Sequence, residues 1–182
     1  FVVLAVYPYL IYPVIALTMA RIRRRSVRHE YQASEPVSIV VAAHNEAHQI
    51  GRRIAELSQF AAEMHPESEI IVVSDGSTDG TAEVVRLTTE ESVKLIELKT
   101  NQGKAQALNA GVAASRHEFV AFADVRQTWN RDTLPTMLSC FADPDVGAVS
   151  GDLRLRSTNG SLAGVDIYWK LEKLLRVCES RW

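Results

Sequence analysis

Val37-Ser38-Ile39-Val40-Val41-Ala42-Ala43-His44-Asn45-Glu46 decides the fold. Six of its first seven residues are small or β-branched apolar side chains, and the run ends abruptly in a polar corner. Beyond that corner Ile50, Ile54, Leu57 and Phe60 recur at three- and four-residue spacing. An apolar run without polar alternation marks a strand buried on both faces, and the spacing after it marks an amphipathic helix. The stretch is therefore a strand, a loop and a helix in succession.

The same unit repeats outward along the chain. Apolar runs occur at Val37 to Ala43, Glu69 to Ser74, Val93 to Leu98, Phe119 to Ala123 and Gly147 to Ser150. Between them the spacing predicts helices over Glu46 to Met64, Thr81 to Glu90, Lys104 to Ser115 and Thr133 to Phe141. Strand-helix alternation predicts an α/β fold, a mainly parallel sheet flanked by helices. The chain's 182 residues, 47% of them hydrophobic and 23% charged, suffice for one such domain and exclude overall disorder. Cys140 and Cys178 both fall in helix-like segments, so no disulfide framework is expected and a reducing compartment fits.

The charge is unevenly placed. Lys+Arg 20 against Asp+Glu 22 gives a net −2, which does not point to nucleic acid as a partner. Phe1 to Ala20 carries no charge, whereas 21–30 holds Arg21, Arg23, Arg24, Arg25 and Arg28 against Glu30, a local +4 that leaves −6 elsewhere. About 20 apolar residues at ~1.5 Å each span roughly 30 Å, the depth of a hydrocarbon core. The expectation is one transmembrane helix over 1–20, kinked at Pro8 and Pro13, and a basic juxtamembrane neck over 21–35. Charges that follow the apolar run argue against a cleaved leader, and by the positive-inside rule they put the rest of the chain in the cytoplasm, at the cell (inner) membrane. Ser34-Glu35-Pro36 marks the start of the domain, 36–182. The chain opens without Met and stops at Trp182 within a helical pattern, so it reads as a fragment, incomplete at its C-terminus.

Ligands of open α/β sheets bind beyond the carboxyl ends of the strands, so the residues there carry the functional information. After the first strand, Asn45 and Glu46 read equally well as a helix cap with a first-turn acid and as site residues. After the second comes Ser74-Asp75-Gly76-Ser77-Thr78-Asp79-Gly80-Thr81. Asp79 or Thr81 suffices to cap the next helix, which leaves Asp75 as an acceptor for a base N–H or a ribose hydroxyl. Neither G-x-G-x-x-G nor Walker spacing occurs here. After the third strand, Gly103 precedes a helix that opens with Lys104, a cation set against the helix dipole unless an anion lies nearby. Asn109, a poor helix former, sits in the same helix. The fourth strand runs straight into Asp124, a charge that must be solvated or paired there.

Four ordered motifs now stand together: Val41-Ala42-Ala43-His44-Asn45-Glu46, Val73-Ser74-Asp75-Gly76-Ser77-Thr78-Asp79-Gly80-Thr81, Asn101-Gln102-Gly103-Lys104 through Asn109-Ala110-Gly111, and Phe122-Ala123-Asp124. In that order they resemble glycosyltransferase family 2, the GT-A nucleotide-sugar transferases that include membrane polysaccharide synthases. The resemblance runs from about Pro36 to Leu155, and Asp143 to Gly151 is similar to the stretch entering that family's next strand.

The resemblance implies a Rossmann-like GT-A domain that moves a sugar from a nucleotide-diphosphate donor to a saccharide or lipid-linked acceptor with inversion. It implies that Ala42, His44 and Glu46 line the nucleotide end, with His44 where the family often has Tyr. It also implies that Asp75 holds the base or ribose and that Lys104 lies near the pyrophosphate. Asp124 matches the first carboxylate of the family's Asp-x-Asp motif, while Arg126 replaces the second. Two alternatives follow: Asp124 holds Mg²⁺ or Mn²⁺ with the diphosphate and waters, or Arg126 supplies part of the charge through its guanidinium fork. The family's catalytic base belongs to a motif expected beyond Trp182. Arg181-Trp182 is a coincidental match to a later motif, and Asp152 and Glu172 read as solvated surface acids. Two rival classes remain, a nucleotidyltransferase-like enzyme that would require a nucleoside triphosphate and a catalytically silent membrane-anchored binding module.

Overall fold

Strands separated by helices return in the same direction, so the sheet they build is parallel. The structure, a computed structural model, describes residues 7–23, 27–29, 35–152 and 163–180. In it β1 (Val37–Ala43), β2 (Glu69–Asp75), β3 (Val93–Leu98) and β4 (Phe119–Ala123) form a four-stranded parallel sheet in the order β3-β2-β1-β4. The helices are α1 (Tyr12–Ile22), α2 (Ala47–Met64), α3 (Thr81–Arg86), α4 (Lys104–Ala114), α5 (Thr133–Ser139) and α6 (Ala163–Glu179). The chain divides into two compact units, one of residues 29–147 and one of residues 1–28 with 148–182.

The first unit holds the sheet. Ser38 pairs with Glu69 and Ala43 with Ser74 along β1 and β2, and Val37 pairs with Phe119 along β1 and β4. Val37, Ile39, Val41 and Ala43 face a core with Ile50, Ile54 and Leu57 of α2, Val85 of α3 and Leu134 of α5. Val40, Ile71 and Val73 face the other way, toward Ala107 of α4. The alternation along β1 thus feeds two helical layers, each fully buried aliphatic side chain contributing roughly 1.5–3 kcal/mol. A Cβ on Gly111 would lie 2.3 Å from Val40 Cγ1, so α4 rests directly on β1. At the amino ends of the strands, buried Glu69 accepts from Ser38 Oγ (2.7 Å), Arg116 N (2.8 Å) and Arg116 Nε (3.0 Å). Burial raises the Glu69 pKa, but these donors and the Arg116 charge outweigh it and hold the carboxyl below its ordinary value.

Only the two central strands match the expectation of burial on both faces. β3 and β4 are edges and half-buried, with Lys94, Glu97 and Phe122 exposed. The helix expected over Thr81 to Glu90 ends at Arg86. Thr88 closes it, its N–H (3.1 Å) and hydroxyl (2.6 Å) both donating to the Val85 carbonyl. Gly147 to Ser150 is not a strand. A four-residue run that begins with Gly and ends with Ser presents one large apolar side chain, too little to hold an edge position.

In the second unit Ala16 and Ala20 of α1 pack with Cys178 of α6, flanked by Leu17 and Leu175. The Tyr12 hydroxyl donates to Glu179. Of the transmembrane helix expected over 1–20, the structure describes residues 7–20. Residues 7–11 form a π-helical turn and α1 is only 11 residues long, with Pro13 in its first turn. The π-helical turn runs straight into α1, and Pro8 and Pro13, which lack the N–H of a regular helical ladder, fall in the first turn of each segment. No helix among the described residues is long and apolar enough to cross a membrane. Residues 1–6, Arg24 and Arg25 lie outside the described residues, as do 30–34 at the expected neck-domain boundary.

Candidate functional site

The strand order creates the site. From β1 the chain proceeds to β2 and β3 on one side, then returns to place β4 on the other. The switch point, where ligands of such sheets bind, is therefore the crevice beyond the carboxyl ends of β1 and β4. The loops entering it carry Glu46 and Arg126, and these two meet. Arg126 Nε lies 2.8 Å and Arg126 Nη2 2.7 Å from Glu46 Oε1. The Glu46 hydrogen bond and charge raise the Arg126 pKa further above its already high value.

Asp124 continues the chain of charge. Its Oδ1 accepts from Arg126 N at 3.0 Å and its Oδ2 from Lys104 Nζ at 2.9 Å. Lys104 opens α4, where its charge opposes the helix dipole, and Asp124 offsets that conflict. Burial raises the Asp124 pKa, but the Arg126 N–H, the Lys104 ammonium and the Arg126 charge together outweigh it, and the carboxyl is held below its usual range. Lys104 and Arg126 are 64% and 68% exposed, whereas Asp124 and Glu46 are 35% and 13%, so the cations form the outer surface of the cluster.

Asp75 takes a different place. It is buried at the tip of β2, and its Oδ1 and Oδ2 accept from Gln102 N (2.7 Å) and Gly103 N (2.9 Å). It thereby fixes the loop that delivers Lys104, and each oxygen keeps acceptor capacity for a ligand. Gly76 makes the junction possible, since at φ +60° a Cβ there would sit 2.3 Å from Asn101 N.

His44 is exposed at the end of β1. Its Nδ1–H donates to the Asp75 carbonyl (2.6 Å), so Nε2 is the acceptor for Asn45 Nδ2 (3.2 Å). Ala42 has no polar role: it is half-buried beside Val40, Val73 and Ala107 and forms a wall. Asn109 is exposed on α4. The capping expected of Asn45 and Glu46 is absent, for Asn45 adopts φ +55° and Glu46, the N-cap of α2, makes no side-chain cap. Asp79 does this work for two helices. Its Oδ2 accepts from Ala47 N of α2 and its Oδ1 from Thr81 N of α3, both at 3.0 Å. Those bonds, that to the Thr81 hydroxyl foremost, lower the Asp79 pKa.

Sequence reasoning missed Arg53. Its side chain is 1% exposed, its Nε donates to the Asp124 carbonyl (3.1 Å), and its guanidinium lies 5.0 Å from the Trp129 ring centre and 3.0 Å from Glu56. Burial lowers its pKa, against the pull of Glu56 and Asp124. The signal was available, because Ile50, Arg53, Ile54 and Leu57 follow i, i+3, i+4, i+7 and put Arg53 on the buried stripe. Asp152 and Glu172 pair with Lys173 (2.5 Å) and Arg176 (2.6 Å), as solvated surface acids do. A shallow concavity lined by Phe60, Glu63, Met64, Arg131 and Leu134 shares no residue with the charged cluster.

Comparisons with known proteins agree with this geometry. The model of the family described as Glycosyl transferase family 2 matches residues 38–176. A poly-beta-1,6-N-acetyl-D-glucosamine synthase of Staphylococcus epidermidis is 33% identical over 141 residues, 76% of this chain and 34% of the synthase. Its counterpart in Staphylococcus aureus (strain COL) is 31% identical over 133 residues, 72% of this chain and 32% of that one. The chain thus spans about a third of the length of these curated relatives. Among solved structures, a mannosyltransferase from Pyrobaculum calidifontis in complex with GDP-Man and Mn²⁺ is 26% identical and superposes with a TM-score of 0.74. That likeness covers 96% of this chain and 49% of the mannosyltransferase.

Proposed function

Because the chain belongs to glycosyltransferase family 2, we propose that it forms the donor-binding half of an inverting sugar transferase in polysaccharide synthesis. The donor is a nucleoside-diphosphate sugar and the acceptor a saccharide or a lipid-linked sugar. The observation that carries this reading is the row Glu46–Arg126–Asp124–Lys104 across the switch point of the sheet. Two exposed cations there are pre-positioned by carboxylates and face the side from which a phosphate approaches.

In transfer, the acceptor oxygen bonds to the anomeric carbon while the bond from that carbon to the diphosphate oxygen breaks. The electron pair leaves with the diphosphate, and the acceptor proton passes to a base. Lys104 and Arg126 stabilise the charge that develops on the leaving group. General-base assistance of this kind is commonly worth ~10²–10⁴ in rate, and none of the four residues of the row is assigned that task. In a product extended beyond Trp182, Asp124→Asn is expected to abolish transfer from the nucleotide sugar. Full activity of that variant, or activity only with a nucleoside triphosphate, would overturn the reading.

The uncharged Phe1 to Ala20 stretch supports attachment to the cytoplasmic face of the cell membrane. Leu10, Val14 and Ile22 are more than 60% exposed, and exposed Arg21 and Arg23 follow. Co-sedimentation with anionic vesicles, lost on replacing both arginines with glutamate, is the expected behaviour; a chain that never sediments contradicts it.

A further inference from the structure

The Mn²⁺ of the mannosyltransferase raises the question of whether these residues fit a divalent cation. They do not. Each oxygen of Asp124 already accepts one hydrogen bond, from the Arg126 N–H or from the Lys104 ammonium, and that ammonium repels a second cation brought to the same carboxylate. The residue two places on, where a second carboxylate would complete the donor set, is Arg126. Its guanidinium holds Glu46, the remaining acid of the row. Among the described residues no group of three or more His, Cys, Asp or Glu side chains could hold a metal ion. A hard divalent cation wants several oxygen ligands. Even with phosphate and water among its ligands, it would have one carboxylate, Asp124, and would sit beside both the Lys104 ammonium and the Arg126 charge.

We propose that this site takes its nucleoside diphosphate without a divalent cation, the phosphate charge being met by Lys104 Nζ and the Arg126 guanidinium. This rests on the donor-site reading above and adds to it the manner in which charge is neutralised. Three observations support it. Both cationic heads are about two-thirds exposed while their carboxylate partners lie deeper, so each can turn to a phosphate without unburying anything. Their present ion pairs are of the exposed, exchangeable kind and hold them near the switch point at little entropic cost on binding. The N-terminus of α4, an 11-residue helix, has no side-chain cap and presents its positive end beside Lys104. A guanidinium binds phosphate through a planar fork and an ammonium as a point charge, and together they supply the two positive charges that a divalent ion would bring.

The test is calorimetric titration of the 182-residue chain with UDP and with GDP, in excess EDTA and then in Mg²⁺ or Mn²⁺. The expected result is an affinity in EDTA within about threefold of that with either cation. In Arg126→Asp, which restores an Asp-x-Asp pair on an exposed position, affinity in EDTA should fall by about tenfold or more and recover with Mn²⁺. Circular dichroism checks that the variant is folded, and Lys104→Gln should weaken binding in EDTA as an independent second variant. Wild-type binding that appears only with a cation overturns the inference while leaving the donor-site reading intact. Binding of neither nucleotide under any condition overturns both.

Discussion

Lys104 Nζ lies 2.9 Å from Asp124 Oδ2, joining the first residue of α4 to the residue that follows β4. Exposed ion pairs of this kind are worth ~0–1 kcal/mol, so the contact is poorly explained as a stabilising device. Asp124→Asn should therefore shift the urea midpoint by no more than ~1 kcal/mol in stability, while nucleoside-diphosphate affinity falls because Lys104 loses the carboxylate that holds it at the switch point. Unchanged affinity in a folded Asp124→Asn variant would remove this residue from the site.

Asp75 should behave differently because it holds backbone. In Asp75→Asn one carboxylate oxygen becomes an amide that faces the Gln102 or Gly103 N–H donor-to-donor. Losing a hydrogen bond to a charged group costs ~1.5–3 kcal/mol. Urea denaturation should register that loss, and nucleotide affinity should fall with it as the loop carrying Lys104 loosens. A variant with wild-type stability would show that Asp75 does not position the loop.

Gly76→Ala tests the same junction from the residue that follows Asp75. The added Cβ would meet Asn101 N at 2.3 Å, and φ +60° is itself strained for alanine by ~1–3 kcal/mol. The expected outcome is a lower thermal midpoint together with reduced nucleotide affinity. An unaffected midpoint would mean that the loop of residues 100–103 is free to move away.

Acid should unfold the sheet unit through its carboxylates. Asp79, Glu69 and Asp124 each have a folded pKa below the ordinary value. A lowered folded pKa contributes stability that is fully present above the unfolded pKa and is lost as pH falls through the folded one. The thermal midpoint should thus be level near neutrality and fall below the ordinary carboxylate range. Asp79→Asn should flatten the acid limb and lower the neutral plateau, since α2 and α3 lose the cap they share. An acid limb unchanged in that variant would refute the role of Asp79.

The local pattern was legible and the long-range pairing was not. Val37 to Ala43 and Lys104 to Ala114 form the expected strand and helix, because burial on both faces and the glycine before Lys104 are written in adjacent residues. Asp75 and Asp124 stand out in the sequence as charges at strand ends and Lys104 as a cation that opens a helix, and the strand order brings Lys104 and Asp124 together. What could not be read was who meets whom. Asp79 caps a helix that begins 32 residues before it, and Arg53 holds a carbonyl 71 residues away. Such partners are set by the tertiary arrangement. The run from Gly147 to Ser150 had strand composition without enough apolar surface to hold a place in the sheet.

Nucleotide binding at the switch point can be mapped residue by residue by titrating ¹⁵N-labelled chain with UDP or GDP and following the backbone amides. The shifts should concentrate at Glu46, Gln102, Gly103, Lys104 and Arg126, the loops beyond the carboxyl ends of β1, β3 and β4. Amides that stay still there, or shifts confined to Ser38, Glu69 and Arg116 at the opposite edge of the sheet, would contradict a donor site built on the Glu46–Arg126–Asp124–Lys104 row.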